Sequence, residues 1–185
     1  MHQLVILLTI SLNQAQQEQQ PMEPNKIRQE QQVIRKLSKT IQQFCQANSQ
    51  CQDQLRDMKL FIPIMTFLPC AMDSIVDDDS SSVYSEDVVS CVLGLLTQAL
   101  DGNKLNQEYI LSNFKIKEVL WLVVNQNEYL EVAGSGCLVL SHILHASQRA
   151  QKLFGSPEVV ERLIFLSDFN QLINESNPDS SIESL

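Results

Sequence analysis

The 185-residue chain carries a formal net charge of -9 and is 44% hydrophobic. This hydrophobic fraction supplies a core and excludes a wholly disordered chain, and the negative charge, without a continuous Lys/Arg stripe, argues against nucleic-acid binding. Because Gly and Pro are few and apolar residues recur three and four positions apart, the sequence predicts a nearly all-α protein.

The first residues, MHQLVILLTISLNQAQ, contain an apolar run that has two interpretations. It resembles a signal peptide cleaved after Ala15, which would make Asn174 a glycosylation sequon in a secreted protein. It is also comparable with VLWLVVNQ further along the chain, so we expect residues 1–12 to be the final helix of a truncated preceding repeat. The run is shorter than the ~20 residues that span a bilayer, and no membrane span is expected.

The next segment, residues 13–29, is rich in Gln and contains Pro. This composition is typical of a linker. Beyond it, residues 32–68, 87–123 and 131–167 align with one another without a gap. They define three predicted repeats, residues 30–69, 86–125 and 129–167, and each is expected to hold a long, a short and a medium helix. No such unit buries its apolar face alone, so the three are predicted to stack into a continuous core.

The same turn recurs at the same offset in the three units. A small residue followed by Asn or Ser occurs at Ala47 and Asn48, at Gly102 and Asn103, and at Ala146 and Ser147. A small residue ends a helix with little strain, and Asn or Ser accepts the free amides of the next helix. Beyond the turn, each unit has a glutamine, at Gln52, Gln107 and Gln151. An ordinary helical bundle, the alternative, gives no reason for this recurrence.

The order of these patterns resembles the armadillo repeat. VVSCVLGLLTQALDGNKLNQEYI followed by IKEVLWLV follows the family's helix order, and FIPIMTFL keeps a proline at Pro63. The resemblance covers residues 30–166 and implies an armadillo-like α-solenoid of about three repeats plus the partial N-terminal helix. The related HEAT repeat, built of two helices, stays open because the Gly-rich corner of the armadillo unit is mostly absent.

The resemblance also implies a binding surface. Peptide-binding armadillo proteins place in one column of the long helix an Asn that clamps the backbone of an extended ligand. That column holds Gln43, Gln98 and His142 here, with Lys39 beside the first. Glutamine has the same amide with one more methylene, so these four residues are candidate contacts for a protein or peptide partner, possibly a basic one. The alternative is that they are solvent-facing polar positions. The tryptophan of the family's long helix is missing, and Gly94 occupies its column in the second unit.

No sequence feature points to an enzyme or a cofactor. The chain has no phosphate-cradling Gly-rich loop, nucleophile elbow or HExxH motif. His142 and His145 lie three apart but have no nearby third ligand, so no metal is expected. Five cysteines without a CxxC pair fit reduced thiols in the cytoplasm or nucleus.

The acidic segment at residues 70–85 is expected to be a loop that separates the first two units. It contains five possible phosphorylation sites: Ser80, Ser81, Ser82, Tyr84 and Ser85. Ser85 followed by Glu86 and Asp87 is a favourable helix start. The last residues, 168–185, are predicted to be a polar tail.

These features predict a cytoplasmic, non-catalytic interaction scaffold or adaptor. Two alternatives stay open. The chain is a regulatory repeat segment of a larger signalling or cytoskeletal protein, or it is a small secreted helical protein if residues 1–15 are a signal peptide.

Overall fold

The computed structural model describes residues 1–17, 24–76 and 84–176. Within these ranges the chain forms helices and contains no strand, which confirms the all-α part of the predicted fold class. The helices in chain order are α1 (His2–Gln17), α2 (Pro24–Cys45), α3 (Ser49–Asp57), α4 (Phe61–Val76), α5 (Glu86–Leu100), α6 (Lys104–Asn113), α7 (Ile116–Val124), α8 (Leu130–Ala146), α9 (Gln148–Phe154) and α10 (Pro157–Ser176).

The helices on either side of the predicted linker extend into it. Helix α1 continues to Gln17 and α2 begins at Pro24, so most of the segment 13–29 is helical rather than a linker. Glutamine and glutamate are good helix formers, and proline is tolerated in the first turn because its missing N–H has no partner there in any case.

Two more helices run past their predicted ends. Helix α4 continues to Val76, inside the predicted loop at 70–85, because Met72 and Ile75 extend its buried side. Helix α10 continues to Ser176, nine residues beyond the predicted end at 167. The remaining parts of that loop and of the tail lie outside the described residues.

The expected order of helix lengths holds only for the first unit. Helices α2, α3 and α4 have 22, 9 and 16 residues. In the second unit the last helix, α7, is the shortest at 9 residues, and in the third the last helix, α10, is the longest at 20 residues. The apolar run of α7 ends at Val124, where the polar sequence Asn125 to Asn127 follows.

Several helices at equivalent places in the predicted units pack against one another. Helix α5 lies between α2 and α8, α4 contacts both α1 and α7, and α3 contacts α6. Their apolar sides form one core in which Phe61 and Phe67 of α4 are the largest fully buried side chains. A smaller cluster of Val124, Ala133 and Leu166 joins α10 to α7 and α8.

The turns between the first two helices of each unit have the predicted chemistry. Ala47 and Gly102 have positive φ angles, 50° and 65°. The side-chain oxygens of Asn48, Asn103 and Ser147 each accept a hydrogen bond from the backbone N–H three residues later. The recurring cap is therefore confirmed, and it directs each short helix back along its unit.

In the described part of the chain, no single helix is both long and apolar enough to cross a membrane. Only the pair Ser49–Asp57 and Phe61–Ile75, bent by 79°, reaches the length and composition of a span.

Candidate interaction surface

A first cleft, between α2 and α5, brings together three of the four predicted contact residues. It has a volume of about 290 Å³ and is lined by one cation and four carboxamides: Lys39, Gln42, Gln43, Gln46 and Gln98. Lys39 and Gln43 are exposed and Gln98 is half-buried. Carboxamides both donate and accept hydrogen bonds. The cleft therefore presents both hydrogen-bond donors and acceptors, together with one positive charge.

Gly94 on α5 allows one of these carboxamides to lie close to the helix. A Cβ atom at Gly94 would stand 3.3 Å from Oε1 of Gln42, so any larger residue would press against this amide. The position at which the armadillo family has a tryptophan is thus covered by a glutamine from the neighbouring helix. The sequence suggested neither Gln42 nor Gln46 as a member of the site, because the column pattern singles out one residue per helix.

A second cleft, between the α5–α6 turn and α8, contains the fourth predicted residue, His142. Its volume is about 660 Å³, and its lining is Asp101, Gly102, Lys104, Gln107, Ser141, His142 and His145. Nδ1 of His142 lies 3.6 Å from Oδ1 of Asp101, so the two side chains form an ion pair when the imidazole is protonated. The predicted row of contacts is therefore divided between two clefts. Asp101 and Lys104 were not predicted as members of the site, since neither lies in the long-helix column.

The contact of α2–α4 with α5–α7, the first junction, contains a polar network centred on Gln52. Its Nε2 donates to the carbonyl oxygens of Cys45 at 3.2 Å, Gln98 at 2.8 Å and Asp101 at 3.2 Å. Its Oε1 accepts a hydrogen bond of 3.3 Å from Nδ2 of Asn103. Both ends of this buried amide are satisfied, and three of its four bonds cross the junction, to Gln98, Asp101 and Asn103.

Asn106 completes this network from the other side of the first junction. It is fully buried, and its Nδ2 donates to the carbonyl oxygens of Gln52 at 3.0 Å and Ala99 at 2.8 Å. Its Oδ1 accepts a 3.0 Å hydrogen bond from Nη1 of Arg56. The role of Asn106 was not predicted from the sequence. Its one distinguishing feature there is that it is a carboxamide in a column that holds Ala150 in the third unit.

The contact of α5–α7 with α8–α10, the second junction, lacks such a network. Gln107 is the equivalent of Gln52, but its Nε2 donates only to the carbonyl of Leu100, at 2.8 Å, seven residues earlier in its own unit. Its buried Oε1 has no hydrogen-bond partner among the described residues. Gln151 in the third unit makes the same bond as the other two, to Leu144 at 3.0 Å. The glutamine bond to the carbonyl seven residues earlier is thus present in all three units. The glutamine bonds that cross from one unit to the next are those of Gln52 at the first junction.

Desolvation raises the thiol pKa of several cysteines. All five are free thiols. Burial raises the pKa of Cys45 to about 12 and that of Cys137 to about 11, so both stay protonated at neutral pH. Among the described residues, no three or more His, Cys, Asp or Glu side chains are grouped so as to hold a metal ion.

The predicted phosphorylation sites fall into two groups. Three lie outside the described residues: Ser80, Ser81 and Ser82. Tyr84 is buried, and its hydroxyl donates to the carbonyl of Ala15 at the end of α1. Ser85 is exposed and immediately precedes α5. Of the two described sites, only Ser85 is accessible in this conformation.

Comparisons of the chain with protein-family models, curated protein sequences and solved structures found no match. The two clefts and the residues that line them are therefore the features from which a function follows.

Proposed function

We propose that this protein is a non-catalytic interaction scaffold that binds an extended segment of a partner protein along α2, α5 and α8. The observation that carries the proposal is the first cleft. Gln43 and Gln98 share one column of the repeat alignment, and they meet in one depression with Lys39, which is predicted beside the first, and with two further glutamines.

We also propose that the helices form an armadillo-like solenoid of about three repeats. The repeated contacts support this: α1 packs against α4 as α4 packs against α7, and α2 packs against α5 as α5 packs against α8. The recurring cap and the recurring glutamine bond to the residue seven positions earlier also support it. In this arrangement α1 takes the place of the last helix of a preceding unit.

Binding would depend on many weak contacts at fixed spacing. A single hydrogen bond to a carboxamide contributes about 0.5–1.5 kcal/mol, so one glutamine alone does not hold a partner. Packed helices present several such groups with little loss of conformational freedom, which lowers the entropic cost of association. The net charge of -9 favours a basic partner overall, whereas Lys39 favours a carboxylate at the first cleft.

The location that fits this role is the cytoplasm. Five free thiols are typical of a protein in a reducing compartment. The proposed mechanism is equilibrium binding and requires no cofactor.

The proposal is tested by comparing which proteins the wild-type chain and a cleft variant capture from a cell extract, measured by quantitative mass spectrometry. The variant carries Gln43→Ala, Gln98→Ala and His142→Ala. The matched control carries Asp73→Ala, Lys117→Ala and Glu161→Ala, at exposed positions on α4, α7 and α10. We expect specific partners to be retained by the control and lost by the cleft variant, with equal helicity in both. Equal capture by the cleft variant would contradict the proposal.

A further inference from the structure

The large apolar side chains that remain exposed are concentrated at the two ends of the helix stack. Twelve are found in the part of the chain that the structure describes: five on α1 and α2, five on α8 to α10, and two on the helices between them. Apolar patches at the surface are typical of sites that bind another chain. The ends of a stack of repeats ordinarily have a polar outer face, so both ends of this stack have the character of an interface.

The first group, which we call the N-terminal edge, consists of Ile6, Leu7 and Ile10 on α1 and Val33 and Phe44 on α2. Helix α1 contains no Asp, Glu, Lys or Arg, and its opposite side belongs to the core. A helix that is apolar on all sides is ordinarily buried on all sides. Helix α1 therefore has the sequence of a helix that is covered on both sides.

The exposed stripe on α2 has buried equivalents in the other two units. Val33 and Phe44 stand in alignment columns whose other members are buried: Val88 and Ala99 on α5, and Val132 and Ile143 on α8. Each of those two helices has the long helix of the unit before it as a neighbour, α2 for α5 and α5 for α8. Among the described helices, α2 packs against α1, α3 and α5, and none of these covers the stripe.

The second group, which we call the C-terminal edge, consists of Leu153 on α9 and Val160, Ile164 and Phe165 on α10. Helix α10 is also apolar on two sides, because residues 159 and 166 on its other side are buried. As with α1, this pattern is typical of a helix that is covered on both sides.

Hydrogen bonds from Arg162 hold α10 with its apolar outer side exposed. Its Nε donates to the carbonyl of Val124 at 2.8 Å, and its Nη2 donates to the carbonyl of Gln126. Its Nη1 donates to Oδ1 of Asn127 at 2.9 Å. These bonds join α10 to the end of α7, so the C-terminal edge is in place before anything binds to it, which lowers the cost of association.

The two ends of the stack also carry opposite charge. The sequences of α1 and α2 contain five Lys or Arg and one Glu. Those of α8, α9 and α10 contain three Lys or Arg and five Asp or Glu. Opposite charges favour contact across an interface, whereas like charges oppose it. Contact between an N-terminal edge and a C-terminal edge is therefore favoured over contact between two like edges.

We propose that copies of this chain associate head to tail, with the C-terminal edge of one against the N-terminal edge of the next. The C-terminal edge then covers the outer side of α1 and the open stripe of α2. Because the contact joins two different surfaces, one edge stays open at each end of a pair and further copies can add. The association goes beyond the proposed binding function, since neither edge contains a residue that lines either cleft.

Sedimentation velocity of the full chain at increasing concentration tests the association. We expect the average mass to rise with concentration above that of one chain. A chain that stays monomeric up to about 100 μM would overturn the proposal.

Variants at each edge identify the surfaces that meet. The N-terminal variant carries Leu7→Gln and Val33→Gln, and the C-terminal variant carries Val160→Gln and Ile164→Gln. Glutamine removes the apolar surface, adds no charge and is a good helix former. We expect each variant to associate about tenfold more weakly than the wild type.

The matched control carries Ile62→Gln and Leu105→Gln, on α4 and α6 between the two ends. These side chains are 44% and 65% exposed, so the same change is made outside both edges, and we expect association to be unchanged. If the N-terminal variant loses helicity, Arg28→Glu with Lys36→Glu replaces it, because both residues are exposed on α2 and the change reverses the charge of that end. Equal weakening by the control, or wild-type association in either edge variant, would overturn the proposal.

Mixing the two edge variants distinguishes head-to-tail contact from contact between like edges. Each variant keeps one intact edge, and the two intact edges are different. At a concentration where each variant alone is monomeric, we expect the mixture to form pairs with one chain of each variant and to grow no further. A mixture that stays monomeric would overturn the proposal.

Discussion

At the first junction, Gln52, Asn103 and Asn106 join α3 to α5 and α6 through hydrogen bonds whose donors and acceptors are all satisfied. At the second junction, the equivalents of Asn103 and Asn106 are Ser147 and Ala150, which make no such bond across the junction. Apolar packing of α5 on α8 takes the place of the network there.

The difference concerns how precisely each junction is fixed. Hydrogen bonds are directional and hold two helices at one rotation and one register, whereas apolar packing tolerates small shifts. Polar contacts also cross the second junction: the bonds of Arg162, a 3.3 Å bond from Arg149 to Ser112 at an exposed position, and the 3.6 Å contact between His142 and Asp101. The first junction is thus held by a buried polar network, and the second by apolar packing together with these separate polar contacts.

The largest expected effect comes from breaking the network at its centre. Asn106→Ala removes three hydrogen bonds from a fully buried side chain and leaves Arg56 and two carbonyls without that partner. We expect a loss of about 2–4 kcal/mol in the free energy of unfolding, measured by urea denaturation. The control is Glu108→Ala on the same helix, at an exposed position. If the two variants differ by less than about 0.5 kcal/mol, the network does not fix the first junction.

A smaller and more local effect is expected at the second junction from Arg162→Lys. Lysine keeps the charge but cannot make three hydrogen bonds in the planar arrangement of a guanidinium. We expect a loss of about 1–2 kcal/mol, and faster amide hydrogen exchange in α10, with exchange in α2 to α6 unchanged. Hydrogen exchange followed by mass spectrometry distinguishes the two regions. Faster exchange throughout the chain would show that α10 and the first junction unfold together.

The second junction can also be made more like the first. Ser147→Asn keeps the cap on α9 and provides an Nδ2 donor for Oε1 of Gln107, as Asn103 does for Gln52. We expect the variant to be more stable by about 1 kcal/mol, seen as a higher urea midpoint with an unchanged slope. Gln148→Asn, one residue later and exposed, is the control. An unchanged midpoint in Ser147→Asn would mean that the two turns are not structurally equivalent.

Local features of the fold were predictable from the sequence because their causes are local. The caps at Asn48, Asn103 and Ser147 join residues three positions apart, so the recurring turn in the sequence was enough to predict them. The division of the candidate contacts between two clefts was not predictable. It is a property of how the helices pack and not of any column of the alignment. The helical parts of the expected linker were missed because a Gln-rich composition also favours helix.

The smallest expected effect is a change in pH dependence at the first junction. The hydrogen bond from Asn103, together with Arg56, holds the pKa of Asp53 below its ordinary value of 3.8. A carboxylate with a lowered pKa in the folded state stabilises the protein above pH 3.8, and this contribution is lost as the pH falls through the folded-state pKa. Asp53→Asn removes the titrating group, so we expect a shallower loss of stability in acid than in the wild type.

Urea unfolding at pH 7 and at acid pH measures how steeply the free energy of unfolding falls with pH in the wild type and in the variant. The exposed Asp73→Asn is the control. Because Asp53 is largely solvated, the difference should be slight; equal slopes for wild type and Asp53→Asn would show that the bond from Asn103 to Asp53 does not persist in solution.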